Sequence, residues 1–256
     1  MDRVRSGARG FVPAAAGLAG LLLVWEYGAR VARIPDYILP VPSVILRRFS
    51  VTLPLQIEHL SVTAATTVGG LILALGAGLL LALLVIYVKP LQHVVLPGLA
   101  AFNSIPKVAI APLFVIWFGL GYEPKVLLAF LMGLFPVFVN AVSGLGEIEP
   151  DVLDMARLAG GTELRIFWKV RLMNALPYLA DAIKVAFPLA LVGSVVGEFI
   201  GGNRGVGYLI LSAQFNLDTP LVFACLLSIS LLTSAGIGIV VLLEELLLGW
   251  RPSRRR

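Results

Sequence analysis

Four ionisable residues lie within or at the edge of long apolar stretches of the chain: Lys107, Asp181, Lys184 and Glu198. Charges in such surroundings are costly in lipid, and they usually face a cavity, a partner or the membrane interface. Asp181 and Lys184 are three residues apart, which favours a local ion pair on one helical face. Lys107 and Glu198 are the candidates for a polar path across the membrane. The alternatives are a bond from Lys107 to Asp181 or to a backbone carbonyl, and a loop contact or an interfacial position for Glu198.

The other residues capable of chemistry do not form a recognisable centre. His59 and His93 are far apart near the ends of apolar segments, which argues against a haem or metal site. Cys225 is the single cysteine, so the chain cannot form an internal disulfide. No Gly-x-x-x-x-Gly-Lys-Ser/Thr sequence occurs, which predicts that the chain itself holds no nucleotide. We therefore expect no catalytic residues, no metal and no cofactor.

The composition explains why these charges stand out. Of 256 residues, 59% are hydrophobic and only 14% are charged, with a mean hydropathy of +0.94. Soluble domains have about 25% charged residues, and 60–88, 126–146 and 219–243 contain none at all. This pattern excludes a soluble enzyme, a disordered chain and a nucleic-acid-binding protein. It predicts an all-α, polytopic membrane protein embedded in a lipid bilayer.

Six apolar segments approach or exceed the roughly 20 residues that cross a bilayer. They lie at 11–28, 61–88, 94–118, 124–143, 175–197 and 220–247. We expect the first to be an uncleaved anchor, because no convincing small-residue cleavage site accompanies it. With both termini inside, the inner segments hold twice as many Lys and Arg residues as the outer ones, as the positive-inside rule requires. The outer segment 29–60 departs from the rule, with Arg30, Arg33, Arg47 and Arg48. The balance predicts a multi-pass protein of the cytoplasmic (inner) membrane with both termini in the cytoplasm.

Two segments carry further structural signals. Small residues recur every four positions in the second segment, which predicts close packing of another helix along that face; they are Gly70, Ala74, Gly78 and Ala82. The third segment contains three prolines and is too long for one ordinary span, so we expect a bent helix, or a helix with a surface piece.

The segment 144–174 is the longest polar interruption on the predicted inner side. Pro150 suits the first turn of a helix, and Gly160-Gly161 would end it. Thr162 can cap a second helix, which begins at Glu163. Apolar residues recur at helical spacing along one face of the first helix, at Val152, Met155, Ala156 and Ala159. That face must contact a partner, the protein's own helices or lipid headgroups.

The same segment resembles the cytoplasmic "EAA" loop of ABC importer permeases. The family pattern is acidic-Ala-Ala-x-x-x-Gly, followed after nine residues by aliphatic-x-Leu-Pro. Asp154, Ala156 and Gly160 match it, as do Val170 and Leu172, whereas Met155 and Met173 replace the first alanine and the proline. The resemblance implies a coupling helix that sits on an ATPase subunit. Its candidate coupling residues are Asp154, Met155, Ala156, Arg157, Gly160 and Gly161.

Three further motifs resemble the nitrate/sulfonate/taurine and riboflavin/pyrimidine-precursor branch of these permeases. They are Leu-Pro-Val-Pro-Ser at 39–43, the run 105–113 with Trp-Phe-Gly-Leu-Gly at 117–121, and Gly-Glu-Phe at 197–199 with Asn-Arg-Gly-Val-Gly-Tyr-Leu at 203–209. The resemblance covers roughly residues 34–247. It implies a type I ABC importer permease-like fold in which 1–256 form one transmembrane permease domain.

The resemblance also implies partners. ATP-binding cassette subunits would hold and hydrolyse the ATP, two permease copies would form a homodimer, and an external solute-binding protein would contact the outer segments 29–60 and 198–219. An ion-coupled secondary carrier or channel is the alternative function. It would require paired intramembrane acids and would leave the 144–174 segment unexplained. An intramembrane enzyme would require a constellation that is missing from the sequence.

Overall fold

The computed structural model describes residues 2–247, without the side chains of 2–12, 14, 15 and 89. Within this part of the chain every regular element is helical and no strand occurs. The helices are α1 (Asp2–Val31), α2 (Pro42–Val51), α3 (Leu53–Tyr87), α4 (Lys89–Ser104), α5 (Lys107–Phe118), α6 (Glu123–Gly146), α7 (Pro150–Leu158), α8 (Glu163–Ile166), α9 (Leu172–Gly201), α10 (Val206–Phe215) and α11 (Thr219–Leu247). A π-helical turn, Phe167–Arg171, joins α8 to α9.

Four stretches of the described chain are long and apolar enough to cross a membrane: α3, α6, α11 and the continuous run Glu163–Gly201. A fifth is possible if α4 and α5 together form one broken span. The predicted span 11–28 lies in α1, but several of its side chains fall outside the described residues. The number six therefore stays a prediction.

The third predicted span is not one straight helix. Its two parts, Pro90–Ser104 and Lys107–Phe118, meet at 90°. The break lies at Ile105-Pro106, whereas Pro97 and Pro112 stand inside helices. Ile105 is extended, at φ −70° and ψ 129°, because a following proline disfavours the helical conformation. The expected bend is present, and Pro106 alone of the three prolines stands at it.

Two short helices occupy segments that the sequence suggested were outer loops. α2 lies within 29–60 and α10 within 198–219. Both have ten residues, about half of what a span requires. Pro42 starts α2 because its fixed φ suits the first turn of a helix.

The described chain divides into two compact units, residues 2–58 with 209–228, and residues 59–208 with 229–247. In the first unit, Glu26 fixes the start of α2. Its carboxylate accepts hydrogen bonds from the Ser43 amide at 2.9 Å and from the Ser43 hydroxyl at 2.7 Å. Arg48 pairs with Asp218 in the same unit. The Leu-Pro-Val-Pro-Ser motif therefore ends at a helix start that a carboxylate of α1 stabilises.

The core of the second unit is built from α3, α6 and α9. Ala74 is fully buried against Ala129 and Ala186 in one cluster. A Cβ placed on Gly78 would lie 2.7 Å from a methyl of Val137, and one on Gly193 would lie 2.5 Å from the Leu128 carbonyl oxygen. The stripe of small residues on α3 therefore faces α6, as predicted, because only small side chains let the helix backbones approach so closely.

Candidate functional site

Helix α7 presents its apolar side chains to the exterior. None of its residues is buried. Leu158 is 88% exposed and Met155 is 70% exposed, with Val152 and Ala159 exposed beside them. Ala156, which the pattern placed on the same face, is only half-exposed, and Leu158, which the pattern left out, is the most exposed residue of the set. An isolated helix of nine residues is marginal in water, so its attachments to the rest of the unit must hold it.

The two glycines after α7 are required by the backbone. Gly160 has φ +77°, the left-handed conformation that glycine adopts without steric cost. Gly161 donates its amide to the Ala156 carbonyl at 2.9 Å. A Cβ on Gly161 would lie 2.6 Å from that oxygen and 3.2 Å from Ile166. The bend therefore brings α8 directly against the end of α7.

Polar contacts stiffen the bend. The Arg157 guanidinium lies 3.3 Å from the carboxylates of both Asp154 and Glu163, which ties α7 to the first residue of α8. The Thr162 hydroxyl accepts a hydrogen bond from the Arg165 amide at 3.4 Å, as expected of an N-cap. Asp154, Arg157, Gly160 and Gly161 thus share one compact turn. Each exposed ion pair contributes little on its own.

The segment is anchored to the end of α6. Arg171 donates to the Leu145 carbonyl at 2.8 Å, and the Asn174 amide donates to the Gly144 carbonyl at 2.8 Å. These carbonyls belong to the last turn of α6, where helix carbonyls lack internal partners. Arg171 also lies over the Tyr87 ring at 5.7 Å. The sequence patterns do not identify Arg171 or Asn174 as anchors, although an Arg and an Asn close to a predicted helix end are the available signal.

Two open cavities flank this anchor. An apolar cleft of about 310 Å³ is lined by Leu83, Tyr87, Glu163, Leu164 and Phe167. A larger and more polar one of about 460 Å³ includes His93, Glu147 and Arg171 in its wall. The apolar cleft borders α8, immediately after the glycine bend, so it extends the apolar surface of α7.

The intramembrane residues have specific partners. Lys184 contacts Asp181 at 2.9 Å, the predicted pair, and also contacts Glu244 at 2.5 Å. Lys107 is buried, and it donates to the backbone and side-chain oxygens of Asn103 at 3.1 and 2.7 Å. This contact agrees with the alternative in which Lys107 bonds to a backbone carbonyl, and it disagrees with the alternative in which Lys107 pairs with Asp181.

Glu198 lies inside α9, which continues to Gly201 beyond the predicted end of the fifth span. It is fully buried and accepts hydrogen bonds from the Thr63 hydroxyl at 2.8 Å and from the Gly207 amide at 2.8 Å. The alternative of a loop contact therefore agrees with the structure. No group of three or more His, Cys, Asp or Glu residues suited to a metal ion occurs among the described residues.

Residues 50–248 match the family described as "binding-protein-dependent transport system inner membrane component". The chain belongs to this family. The permease is 34% identical to the formylaminopyrimidine transport permease protein ThiX of Halalkalibacterium halodurans, over 91% of this chain and 94% of that protein. It is 36% identical to the riboflavin transport system permease protein RibX of Chloroflexus aurantiacus, over 91% of this chain and 88% of that protein.

A more distant relative and a solved structure complete the comparison. The permease is 30% identical to the aliphatic sulfonates transport permease SsuC of Bacillus subtilis, over 92% of this chain and 86% of that protein. Its fold is similar to that of a chain of the MetNI methionine ABC transporter in an inward facing conformation, with a TM-score of 0.54 and 21% identity. That match covers 79% of this chain and 97% of the other.

These findings confirm the fold class and the class of function. The protein is an inner-membrane, multi-pass permease subunit of an ABC importer of the sulfonate/taurine/riboflavin branch. Membership in the family implies an ATPase and a solute-binding protein as partners. The alternative of an ion-coupled secondary carrier is wrong, because the relatives and the structural neighbour are ABC transporter components.

Proposed function

We propose that the α7 segment is the surface through which a separate ATPase subunit drives this permease. The exposed apolar side chains of α7 carry the proposal. Burying a Met or Leu side chain contributes about 1.5–3 kcal/mol before the cost of association is subtracted, so Met155 and Leu158 together would supply the apolar centre of such a contact. Without a partner, the same side chains would leave apolar surface exposed to water, which is unfavourable.

The rigidity of the segment supports the same role. Transmission of a movement requires a lever that does not bend, and Arg157, Gly160 and Gly161 fix α7 against α8. Arg171 and Asn174 in turn hold the segment to α6. A displacement of α7 by its partner would therefore reach the transmembrane helices instead of being absorbed in a loose loop. Asp154, Met155 and Ala156 complete the proposed coupling set.

The remaining features of the assembly follow from this proposal. ATP is bound and hydrolysed on the ATPase subunits, because the sequence contains no phosphate-binding Gly-x-x-x-x-Gly-Lys-Ser/Thr motif. Two identical permeases line the path between them. The 144–174 segment and both termini are cytoplasmic, and the solute arrives on an external binding protein that contacts the 29–60 and 198–219 segments.

For the solute, we favour a small nitrogen heterocycle of the kind named for ThiX and RibX over a sulfonate. The relatives named for formylaminopyrimidine and riboflavin are 34% and 36% identical, against 30% for one named for aliphatic sulfonates. Uptake of labelled riboflavin, formylaminopyrimidine and taurine by cells carrying the complete importer tests this order. Preferential uptake of taurine would contradict it.

Lys107 is the candidate that we retain for the translocation path. It lies at the 90° break between α4 and α5, where a buried ammonium bonded only to Asn103 among the described residues can be released by movement of either helix. If Lys107→Met leaves the uptake kinetics unchanged, Lys107 is not part of the path. Glu198, by contrast, is engaged entirely by its own unit.

The coupling proposal is tested by co-purification of the ATPase. We expect Met155→Glu and Leu158→Glu to release the ATPase from the permease in detergent, because each places a charge in the apolar contact. The matched control is Leu120→Glu, since Leu120 is 78% exposed in the α5–α6 connection. Retention of the ATPase by both α7 variants would overturn the proposal. Transport by the permease reconstituted alone without ATP would do the same.

A further inference from the structure

The Gly-Glu-Phe and Asn-Arg-Gly-Val-Gly motifs come together at the turn 202–207, which connects α9 to α10 and includes the first two residues of α10. Four consecutive residues of this turn are each held by a side chain from another part of the second unit. Lys125 Nζ donates to the Arg204 carbonyl at 2.8 Å, and the Gly205 amide donates to His59 Nδ1 at 3.1 Å. The Val206 amide donates to Thr63 Oγ1 at 2.9 Å.

Glu198 completes this set. Its carboxylate accepts hydrogen bonds from the Gly207 amide at 2.8 Å and from the Thr63 hydroxyl. The same hydroxyl oxygen accepts a hydrogen bond from the Val206 amide. One buried carboxylate therefore serves two successive amides of the turn, one directly and one through Thr63. A buried carboxyl group without hydrogen-bond partners would be very costly, and here Thr63 and the Gly207 amide supply those partners. The turn and the carboxylate thus stabilise each other.

The glycines of the motif make room for this arrangement. Gly205 has φ +116°, which side-chain-bearing residues rarely adopt. A Cβ on Gly207 would lie 2.6 Å from the Val195 carbonyl and 2.9 Å from Glu198 Cβ. A Cβ on Gly197 would lie 2.8 Å from Lys125 Cα. The spacing of glycines around Glu198 is therefore the steric condition for burying a carboxylate under the turn.

On its outer side, the turn presents exposed side chains instead of buried contacts. Asn203 and Arg204 are exposed, and the Arg204 guanidinium forms no hydrogen bond or ion pair with any described residue. Its backbone is fixed by Lys125 while its side chain points to no partner in the unit. Because Lys125 already fixes the backbone at Arg204, only the side chain has to be ordered when the guanidinium meets a carboxylate, which it can bind in a bidentate manner.

We propose that Glu198 is a positioning residue which holds the turn 202–207 rigid, so that Arg204 meets a carboxylate of the external solute-binding protein in one orientation. This inference rests on the proposed delivery of solute by that protein to the 198–219 segment. It assigns Glu198 to the docking step and removes it from the translocation path. Thr63, His59 and Lys125 share the holding role.

The test uses the purified complex of permease, ATPase and cognate solute-binding protein, and titrates the binding protein while ATP hydrolysis is measured. Glu198→Ala is expected to raise the half-saturating concentration of binding protein about 5- to 10-fold and to leave the maximal rate near that of the unaltered complex. Glu198→Gln keeps an acceptor for the Gly207 amide, so it should recover most of this loss. Arg204→Ala should weaken half-saturation to a similar degree, and Arg204→Glu more strongly.

A second readout reports on the turn itself. Trypsin cleaves after an accessible, mobile arginine, so cleavage at Arg204 should be slow in the unaltered protein and faster in Glu198→Ala. The matched control is Glu123→Ala, because Glu123 is an exposed carboxylate at the start of the helix that carries Lys125. It should change neither readout.

Three results would overturn the inference. Unchanged half-saturation in Glu198→Ala despite faster cleavage would show that the turn is not the contact. Unchanged cleavage would show that Glu198 does not hold the turn. An unaltered complex that the binding protein fails to stimulate would contradict the proposed delivery of solute, and with it the role of Arg204, while the cleavage assay still decides the holding role of Glu198 separately.

Discussion

At Gly193 the backbone of α9 lies directly against the backbone of α6. A Cβ at this position would lie 2.5 Å from the Leu128 carbonyl oxygen and 2.8 Å from the Ala129 amide nitrogen. An ordinary contact begins at 3.4 Å, so in Gly193→Ala the two helices must separate by about 0.9 Å. Backbone atoms cannot rotate away as a flexible side chain can, so the strain cannot be relieved locally.

The expected cost follows from this geometry. Overpacking a close-packed core costs about 1–3 kcal/mol, and the upper half of that range applies where backbone meets backbone. A loss of about 2–3 kcal/mol corresponds to a Tm lower by about 4–12 °C for a chain of this size. The matched control is Gly76→Ala on α3, because a Cβ there meets nothing within 4 Å. Both variants gain the same helix propensity, so their difference isolates the steric term.

The assay is the fraction of monodisperse protein that remains after heating in detergent, followed by size-exclusion chromatography. We expect Gly76→Ala to melt with the unaltered permease or slightly above it, and Gly193→Ala to melt several degrees lower. If the two variants melt together, the helix separation derived from the backbone positions is wrong. The close approach of α6 and α9 would then not limit stability.

Three further predictions concern ion pairs, the bend and the start of α2. Lys184→Met removes both ion pairs and should cost about 1 kcal/mol, because Asp181 and Glu244 are both partly exposed. Asp181→Asn keeps the pair of Lys184 with Glu244 and should cost less, and equal melting of the two variants in the heating assay would contradict this. Gly160→Ala forces a Cβ into a left-handed backbone at about 1–2 kcal/mol and should weaken co-purification of the ATPase, while Gly146→Ala, whose Cβ meets nothing within 4 Å, should not. Ser43→Ala removes a hydroxyl that Glu26 and Arg30 both contact. The variant should lose about 0.5–1.5 kcal/mol of stability and show faster amide exchange at the start of α2. Unchanged exchange would contradict the stabilising role of Glu26.

Much of the local structure could be predicted from the sequence because it depends on short-range chemistry. In the sequence, Pro150 marks the start of α7 and the glycine pair after Leu158 marks its end. The structure has the helix between these two signals. The Asp181–Lys184 pair follows from a spacing of three residues on a helix. The small-residue stripe of α3 was likewise readable, since four-residue spacing places Gly70, Ala74 and Gly78 on one face whatever the helix packs against.

Other features depend on residues far apart in the chain. The anchoring of the α7 segment by Arg171 and Asn174 requires knowing where the last carbonyls of α6 lie. The second partner of Lys184, Glu244, comes from another helix. The exposure of Leu158 depends on how the glycine bend turns α7 against α8, which the periodicity of α7 alone does not specify.

The sequence by itself determined the membrane environment of the chain, the class of protein and the two ends of α7, because hydropathy and backbone conformation are properties of short stretches. Only the tertiary structure decided what Glu198 does. Its partners Thr63 and Gly207 come from opposite directions along the chain, and a buried carboxylate is tolerated only where both are present to bond it. The sequence alone therefore leaves the role of a charge at the end of a span open, whereas the folded chain shows that Glu198 supports a turn.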